Sequence, residues 1–290
     1  MVPKETTSVA TETITKHLVV LLLEECNFSC PHCFREDGPM YPGYELSFEQ
    51  MQACLADCQH LRELQGIHFS GEEPTLWTDG DLDFVDLLLG VATAGIGVGF
   101  TTNGSSFLDL NKCRNFFRRY FGGTGKPLHV HITTDTFHDN FDVEKGRSRG
   151  LDNVIRCKAD MPSEKAQSLR IAVPVTLSKD VSSLLPDEMI AHYEPLGVTF
   201  NFMPLVPHGK AKLLKHLCPD LRSDKPEDLG AFYRFHRRVE KKKPGGRFYY
   251  FALIDDAYYL LSPSWQWRQV GKLGDLDEAA MDAYSSETNV

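Results

Sequence analysis

The feature that most limits the possible folds of this chain is a regular alternation of short β-rich runs with longer helical patterns. Six such units follow one another, from HLVVLLLEE near the amino end to VTFNFMPLVPHGKAK. Strands that alternate with helices form a parallel sheet through right-handed crossovers. The pattern therefore predicts an α/β fold built on a βα barrel, full or partial, over residues 18–215.

The segments on either side of this pattern differ from it. Residues 1–17 are polar and rich in threonine, which predicts a flexible amino-terminal tail. Residues 216–290 contain a helical stretch, AFYRFHRRVEKK, and a β-rich stretch that predicts a hairpin turning near Asp255 and Asp256. We expect this last part to be a small α+β extension of the barrel.

The composition indicates which binding partners and which cellular compartment to expect for this protein. The net charge of −9 argues against a nucleic-acid partner, which would favour a basic protein surface. The apolar run at 18–23 is too short for a signal-peptide core or a membrane span. We therefore expect a cytoplasmic protein without a membrane partner, and in that reducing compartment the eight cysteines do not form a disulfide framework.

Polar residues gather where the predicted strands end. In a βα barrel, chemistry takes place at the carboxyl ends of the strands, which we call the rim. Five polar clusters fall there, at residues 26–33, 70–74, 101–104, 133–138 and 204–210. The rim is therefore the predicted site of binding and catalysis.

The first rim cluster, CNFSCPHC, is called here the thiol loop and covers residues 26–33. Its cysteines, Cys26, Cys30 and Cys33, have the spacing Cys-x₃-Cys-x₂-Cys. Thiolates are soft ligands that suit iron, and three of them can bind three irons of a four-iron cluster while the fourth iron stays open. A zinc site completed by His32 and a set of buried free thiols are the alternatives.

This spacing resembles the cluster loop of the radical S-adenosylmethionine (radical SAM) superfamily, in which the position of His32 is commonly aromatic. The resemblance implies a partial (β/α)₆ TIM barrel and one 4Fe–4S cluster on Cys26, Cys30 and Cys33. It also implies S-adenosylmethionine (SAM) on the open iron and a flavodoxin- or ferredoxin-type electron donor. Members of the family cleave SAM reductively, and the resulting 5′-deoxyadenosyl radical abstracts a hydrogen atom from the substrate.

The second rim cluster, SGEEPTL, resembles the Gly-Gly-Glu-Pro motif that binds the SAM ammonium group in this family. Gly71, Glu73 and Pro74 match the motif, whereas Glu72 stands in place of its second glycine. Glutamate lacks the backbone freedom of glycine and adds a negative charge near a cationic ligand. The resemblance implies that these four residues bind SAM, with Glu72 altering the local geometry.

The remaining rim clusters supply further candidates. The resemblance implies that Asn103 meets the SAM carboxylate and that Thr133 or Asp135 binds the ribose; an Asn-Gly turn is the alternative for Asn103. His138 is a candidate for proton transfer, or an ordinary loop histidine. Lys210 is a candidate for contact with SAM or a substrate carboxylate, or an exposed lysine.

The last part of the chain resembles the SPASM/twitch branch of the superfamily but lacks its ligands. The resemblance rests on Asp135, His138, Arg147, Arg149 and Gly150, and on the predicted hairpin. Ser262 stands where that branch has a cysteine, and no cysteine follows Cys218. We therefore expect a degenerate extension without an auxiliary cluster.

Two residues near the end of the chain are candidates for contact with the substrate. Cys218 is a candidate hydrogen-atom donor, and Trp265 is a candidate lining residue of the substrate pocket, with core packing of the hairpin as the alternative. The other cysteines, Cys54, Cys58, Cys113 and Cys157, lie in helical patterns and are predicted to be core residues.

The sequence thus predicts a radical SAM enzyme that acts on a small molecule or a short peptide by epimerisation, bond formation or rearrangement. About 25 residues precede the thiol loop, so a peptide substrate is expected to need a separate recognition protein. A glycyl-radical-enzyme activase and a non-catalytic or zinc-binding scaffold are the alternatives.

Overall fold

The fold is that of a computed structural model, which describes residues 15–33, 43–61, 64–135, 137–138, 141–142, 147–179, 184–220, 225, 246–261 and 267–286. The strands are β1 (Thr15–Leu21), β2 (Leu64–Ser70), β3 (Thr78–Asp79), β4 (Leu82–Asp83), β5 (Gly97–Thr102), β6 (Leu128–Ile132), β7 (Phe141–Asp142), β8 (Arg147–Ser148), β9 (Leu169–Leu177), β10 (Val198–Pro204), β11 (Gly246–Ile254), β12 (Ala257–Leu261), β13 (Trp267–Lys272) and β14 (Asp275–Leu276). The α-helices are α1 (Phe48–Cys58), α2 (Phe84–Thr93), α3 (Leu110–Gly123), α4 (Arg149–Ala159), α5 (Ser163–Ser168), α6 (Leu184–Tyr193) and α7 (Glu278–Ser286). Short 3₁₀ segments cover Pro74–Leu76, Ser105–Phe107, Glu194–Leu196 and Gly209–Leu217.

Ten strands form one sheet in the order β10-β9-β6-β5-β2-β1-β11-β12-β13-β14. The strands from β10 to β1 pair in parallel and stand in the order in which the chain visits them. Helices α1 to α6 occupy the connections between these strands. Sequential parallel strands with helical crossovers are the arrangement of a βα barrel, so the predicted partial (β/α)₆ fold is confirmed.

The carboxyl-terminal hairpin continues the barrel sheet. Strand β11 pairs in parallel with β1 from Thr15↔Gly246 to Val20↔Phe251, and β12 and β13 extend the sheet antiparallel. The hairpin turns at Asp255 and Asp256, which both have positive φ, at the position that the sequence predicts. The α+β extension therefore shares the hydrogen-bonded sheet of the barrel.

The start of β1 overlaps the segment predicted as a tail, because residues 15–17 are strand residues. The amine of Lys16 is buried and pairs with Glu278 at 2.7 Å and with Asp282 at 2.9 Å, both on α7. A buried ammonium group requires such partners. The tail boundary at residue 17 is therefore corrected, since pairing with carboxylates far along the chain holds this polar stretch in the sheet.

The helices follow their sequence signals closely. Ser47 caps α1, and it exchanges two hydrogen bonds of 3.1 Å with Gln50. The predicted core cysteines are all buried, namely Cys54, Cys58, Cys113 and Cys157. Among the described residues, none of the helices combines the length and apolar character needed to cross a bilayer.

The two faces of the parallel sheet differ in chemistry. The face beneath the helices is apolar, and there Phe84 of α2 meets Phe69 and Phe100 with ring centroids 5.9 and 5.1 Å apart. Neighbouring residues on a strand point to opposite faces. The alternate residues therefore form a second face, called here the inner face, which carries a histidine cluster made of His17, His68, His129 and His131.

Glycines on the inner face make room for these imidazoles. The rings of His68 and His131 lie 4.5 Å apart, and Gly99 of β5 pairs with His68 on one side and His129 on the other. A Cβ atom at Gly99 would lie 2.8 Å from the His68 Nδ1 and 2.8 Å from the His129 carbonyl oxygen. A glycine at this position is therefore needed to fit the cluster.

This crowding predicts the result of adding one methyl group. Gly99→Ala is expected to reduce the free energy of unfolding by about 1–3 kcal/mol, because backbone and imidazole atoms must move apart. Gly122→Ala is the matched control, since Gly122 lies in α3 and a Cβ atom added there would meet nothing within 4 Å; it should be neutral or stabilising by up to about 1 kcal/mol. Urea unfolding of both variants measures the difference; equal effects would contradict the assignment.

Candidate active site at the carboxyl ends of the strands

The thiol loop follows β1 and carries the predicted iron ligands. Cys26, Cys30 and Cys33 are each half-buried. The Cys33 N–H donates to the Cys30 carbonyl at 3.3 Å, which closes a turn between the two cysteines. The Phe28 N–H donates to the Cys26 Sγ at 3.4 Å, and the Asn103 Nδ2 donates to the same sulfur at 3.9 Å.

The surroundings of Cys26 keep its sulfur protonated in the absence of a metal ion. Burial raises the pKa of Cys26 to about 11; the Phe28 hydrogen bond opposes that increase, and the carboxylates of Glu73 and Glu72 add to it. Metal binding replaces the proton on such a sulfur. Three thiols on one short loop, with N–H donors directed at a sulfur, are the donor set that iron–sulfur clusters use, so these residues fit the predicted 4Fe–4S cluster.

Glu73 lies behind the thiol loop and is fully buried, with 0% exposure. Its Oε1 accepts hydrogen bonds from the Thr75 N–H at 3.2 Å, the Thr75 hydroxyl at 2.5 Å and the Thr102 hydroxyl at 2.6 Å. Its Oε2 accepts from the Asn103 N–H at 2.6 Å. Burial raises the pKa of Glu73, and these hydrogen bonds work against that increase. The backbone N–H of Glu73 donates to the Glu25 carbonyl at 3.1 Å, which ties this loop to the thiol loop.

The rest of the SGEEPTL segment has the backbone that its sequence requires, except at one position. Gly71 has φ of 108°, a conformation that favours glycine, and a Cβ there would meet Leu21 at 3.3 Å. Pro74 begins the 3₁₀ segment after Glu73. Glu72 is not among the positive-φ residues, so its backbone does not require the glycine that stands at this position in the family.

Asn103 joins the thiol loop to the exit of β5. Its Nδ2 donates to the Asn27 Oδ1 at 2.8 Å, and its Oδ1 accepts from the Ser105 N–H at 2.9 Å. The second bond, together with the φ of 78° at Gly104, forms the Asn-Gly turn that was the alternative interpretation. Contact between Asn103 and the SAM carboxylate stays a prediction.

Asp135 and His138 form a buried pair after β6. The His138 Nδ1 donates to the Asp135 Oδ1 at 2.7 Å, and the side chains are 8% and 3% exposed. The Phe137 N–H also donates to Oδ1 at 2.9 Å, and the Thr176 N–H donates to Oδ2 at 3.2 Å. Both carboxylate oxygens are thus used within the protein, and ribose binding by Asp135 stays a prediction.

The charges in this pair follow from its contacts. Burial alone would lower the pKa of His138, but its hydrogen bonds to Asp135 and to the Cys30 thiol raise that pKa to about 10. Burial likewise opposes ionisation of Asp135, yet the His138 contact brings its pKa below the ordinary value. At neutral pH His138 is therefore an imidazolium, which can give a proton but cannot accept one.

His32 lies beside this pair. Its ring centroid is 4.8 Å from that of Phe137 and 4.9 Å from that of His138. Ligand atoms of His32, Asp135 and His138 all lie within 4.8 Å of one another, and the buried His32 Nδ1 has no hydrogen-bond partner. Burial lowers the pKa of His32 to about 4, so its imidazole is neutral.

Two further predicted residues also reach the rim loops. The Lys210 N–H donates to the Cys33 carbonyl at 2.8 Å, and its Nζ donates to the Ser29 hydroxyl at 3.2 Å. The Thr133 N–H and hydroxyl both donate to the Thr102 carbonyl, at 2.9 and 3.2 Å. The structure thus brings Lys210 to the thiol loop and Thr133 to the exit of β5.

Of the substrate-contact candidates near the end of the chain, the structure describes Cys218. The Cys218 thiol donates to the Leu214 carbonyl at 3.6 Å, within the segment that follows β10. That segment reaches the end of β9, because the Lys179 N–H donates to the Leu217 carbonyl at 2.8 Å. Trp265 and Ser262 lie outside the described residues, so their predicted roles stay predictions.

Sequence reasoning missed the residues that connect the rim loops to one another. Asn27 bridges two loops, since its side chain also donates to the Ser105 hydroxyl at 2.9 Å. Thr102 and Thr75 hold Glu73 in place. A polar residue inside a ligand loop and a threonine at a strand end were the available signals, but neither identifies its partner without the fold.

Comparisons with known proteins agree with this geometry. The family model described as the radical SAM superfamily matches residues 20–160. The solved structure of anSMEcpe with bound AdoMet is similar at a TM-score of 0.53 and 13% identity, covering 95% of this chain and 78% of that one. SuiB of Streptococcus suis, bound to its precursor peptide SuiA, is similar at 0.51 and 12%, covering 82% of this chain and 48% of SuiB. The chain thus spans about half the length of SuiB, and no curated protein sequence matches it.

At such identities these structures establish the fold alone. The family match goes beyond the fold, because the matched segment begins inside β1 and includes the candidate site residues of the thiol loop, Glu73 and Asn103. Within the matched residues, the thiol loop contacts the loop after β5 through Asn27 and Asn103. Residues 20–160 of the chain, which carry the thiol loop, accordingly match the radical SAM superfamily.

Proposed function

We propose that this enzyme binds one 4Fe–4S cluster on Cys26, Cys30 and Cys33 and abstracts a hydrogen atom from a small-molecule or short-peptide substrate. In the superfamily, the cluster and SAM together supply a 5′-deoxyadenosyl radical. The observation that carries the proposal is the set of three half-buried cysteines on the loop after β1. The loops after β5 and β10 contact this loop through hydrogen bonds, and the loop after β2 bonds to Glu25, the residue before it.

The chain's own part in binding SAM is to offer fixed polar groups beside the thiols. Glu73 supplies a buried negative charge that is held in one orientation by four hydrogen bonds. A carboxylate held in this way is a preorganised partner for a cationic ligand. Gly71, Glu72 and Pro74 would form the rest of the ammonium site, with Asn103 and Lys210 beside the thiol loop.

The reaction proposed is redox-neutral, such as epimerisation, bond formation or rearrangement. A net oxidation needs an acceptor for further electrons, and the sequence after Cys218 contains no cysteine that could bind an auxiliary cluster. The solved structures of SuiB with its precursor peptide SuiA and of anSMEcpe with the Cp18Cys peptide favour a short peptide over other substrates. A flavodoxin- or ferredoxin-type protein is the proposed electron donor.

Anaerobic reconstitution with iron, sulfide, a reductant and SAM tests the proposal. Wild-type protein is expected to bind about four irons per chain and to release 5′-deoxyadenosine. Cys30→Ala should lose both properties because it removes one of three ligands. Cys113→Ala, which removes a thiol buried between α3 and α4, is the matched control and should keep both.

Other outcomes would decide between the alternatives. Zinc in place of iron, with no 5′-deoxyadenosine, would overturn the proposal in favour of a zinc-binding scaffold. An iron-loaded protein whose electron paramagnetic resonance signal ignores added SAM would also overturn it. Stable co-purification with a much larger protein that acquires a glycyl radical would indicate an activase.

A further inference from the structure

A short basic segment lies against the thiol loop. It covers Gly209–Leu217, follows β10, and is called here the lysine segment. Its sequence, GKAKLLKHL, contains Lys210, Lys212 and Lys215 and has neither aspartate nor glutamate, whereas the net charge of the whole chain is −9. The segment is therefore a local concentration of positive charge on an acidic protein.

Hydrogen bonds hold the lysine segment at the rim. The Lys210 N–H donates to the Cys33 carbonyl at 2.8 Å, and the Lys210 Nζ donates to the Ser29 hydroxyl at 3.2 Å. At the other end of the segment, the Leu217 carbonyl accepts from the N–H of Lys179, just after β9, at 2.8 Å. The segment is thus fixed in place directly beside the last cysteine of the thiol loop.

The outer side of the lysine segment is open to a partner. Lys212, Lys215 and His216 are exposed, and Leu213 is 84% exposed among them. A single exposed leucine is common on protein surfaces, but this one is surrounded by positive charge. Such a surface offers a negatively charged protein both electrostatic attraction and an apolar contact at its centre.

The two ends of the thiol loop differ in the sign of the charge beside them. Glu25, the residue before Cys26, is exposed, and Glu72 on the loop after β2 is partly exposed. The Glu73 N–H donates to the Glu25 carbonyl at 3.1 Å, which brings these two acidic segments together. An acidic protein that approaches the thiol loop is therefore repelled at the Cys26 end and attracted at the Cys33 end.

We propose that the lysine segment is the docking surface for an acidic one-electron redox protein, of the flavodoxin or ferredoxin type, that reduces the cluster. The inference rests on the proposed function, because it requires a cluster on the thiol loop. In the docked complex one electron passes from the partner to the cluster, so the partner is oxidised, the cluster is reduced and no atom is transferred. Redox encounters of this kind bury little surface, and their rates depend on complementary charge.

Reduction of the reconstituted protein by a flavodoxin of net negative charge, itself fully reduced beforehand, tests the inference. The double variant Lys212→Glu/Lys215→Glu reverses two charges and leaves Lys210 in place beside the thiol loop. At low ionic strength its second-order rate constant for cluster reduction, measured by stopped-flow absorbance, should be roughly tenfold below that of the wild type. Equilibrium binding of the oxidised flavodoxin should weaken as well. Both differences should shrink at about 0.5 M salt, where charges are screened within a few ångströms.

The matched control is Lys126→Glu/Lys165→Glu, which makes the same change in net charge. Both lysines are exposed, and they lie just before β6 and β9, at the end of the sheet opposite the rim. This variant should keep nearly the wild-type rate and binding. Dithionite, a small reductant that needs no docking surface, should reduce the cluster at nearly the same rate in all three proteins.

Four results would contradict the inference. Equal flavodoxin rates and binding in the two double variants would overturn it and leave the proposed function intact. A wild-type rate with flavodoxin that does not respond to salt would also overturn it. So would a salt-sensitive dimer of the wild type that Lys212→Glu/Lys215→Glu loses, since the lysine segment would then bind a second copy of this chain. A wild-type protein that binds no cluster would overturn the proposed function and this inference together.

Discussion

Glu73→Gln is expected to destabilise the protein by about 3 kcal/mol and to weaken SAM binding at least roughly tenfold. An amide has one accepting oxygen, whereas both oxygens of Glu73 accept from backbone N–H groups, those of Thr75 and Asn103. Whichever way the amide turns, its NH₂ group faces one of these donors and leaves it unpaired in a buried site. The substitution also removes the buried negative charge proposed to meet the SAM ammonium group.

The neighbouring glutamate provides the matched control. Glu72 is partly exposed and carries the same charge, so Glu72→Gln should change the free energy of unfolding by less than about 1 kcal/mol. Urea unfolding of the protein without cofactors measures the stability effect. Equilibrium binding of SAM to the reconstituted protein measures the second effect. Equal losses in the two variants would contradict the role assigned to Glu73.

Acidification is expected to destabilise the fold through the histidine cluster. Burial lowers the pKa of His131 to about 4 and the pKa of His68 well below its ordinary value, and further histidines add to both shifts. Burial also lowers the pKa values of His17 and His129. The charged group that faces this cluster from β9 is Arg170, which opposes protonation as well.

The sign and size of the effect follow from linkage. The folded-state pKa values lie below the unfolded value of about 6.5, so the unfolded chain takes up protons first as the pH falls. The contribution of the histidine cluster to stability is therefore complete above about pH 6.5, and it decreases below that pH. For His131, with a folded pKa of about 4, the loss at about pH 5 is about 2 kcal/mol.

Unfolding in urea at several pH values between about 8 and 5 measures this dependence. His131→Gln should flatten the curve, because it removes one group whose folded and unfolded pKa values differ. His60→Gln, at an exposed histidine, should keep the wild-type slope. A His131→Gln protein with the wild-type slope would show that the loss at low pH arises elsewhere in the molecule.

Local patterns predicted most of the barrel and the ligand loop. The alternation of β-rich runs with helical patterns identified the parallel strands, because each such signal lies within a few residues of the chain. The cysteine spacing identified the thiol loop for the same reason. Asp135 shows the limit of such reasoning, since its pattern suggested a ligand contact while its carboxylate bonds to His138 and to backbone groups.

What the sequence could not predict depends on pairing between distant residues. The histidines of IHFS and HVHI lie in separate strands, and only the register of β2, β5 and β6 places them together around Gly99. Lys16 was assigned to a tail because its partners, Glu278 and Asp282, lie at the other end of the chain. The spacing of residues within one segment does not indicate which distant segment will pair with it.

The pairing of β1 with β11 has a consequence for biosynthesis. The strand that leads into the thiol loop acquires one of its two sheet neighbours only when the segment that begins at Gly246 has left the ribosome. Because contacts between distant residues form late and at a high entropic cost, β1 is expected to stay incompletely held until β11 has been synthesised. Iron–sulfur loading should then follow the synthesis of β11, and a nascent chain cut short before β11 should be a poor acceptor for the cell's cluster-assembly machinery.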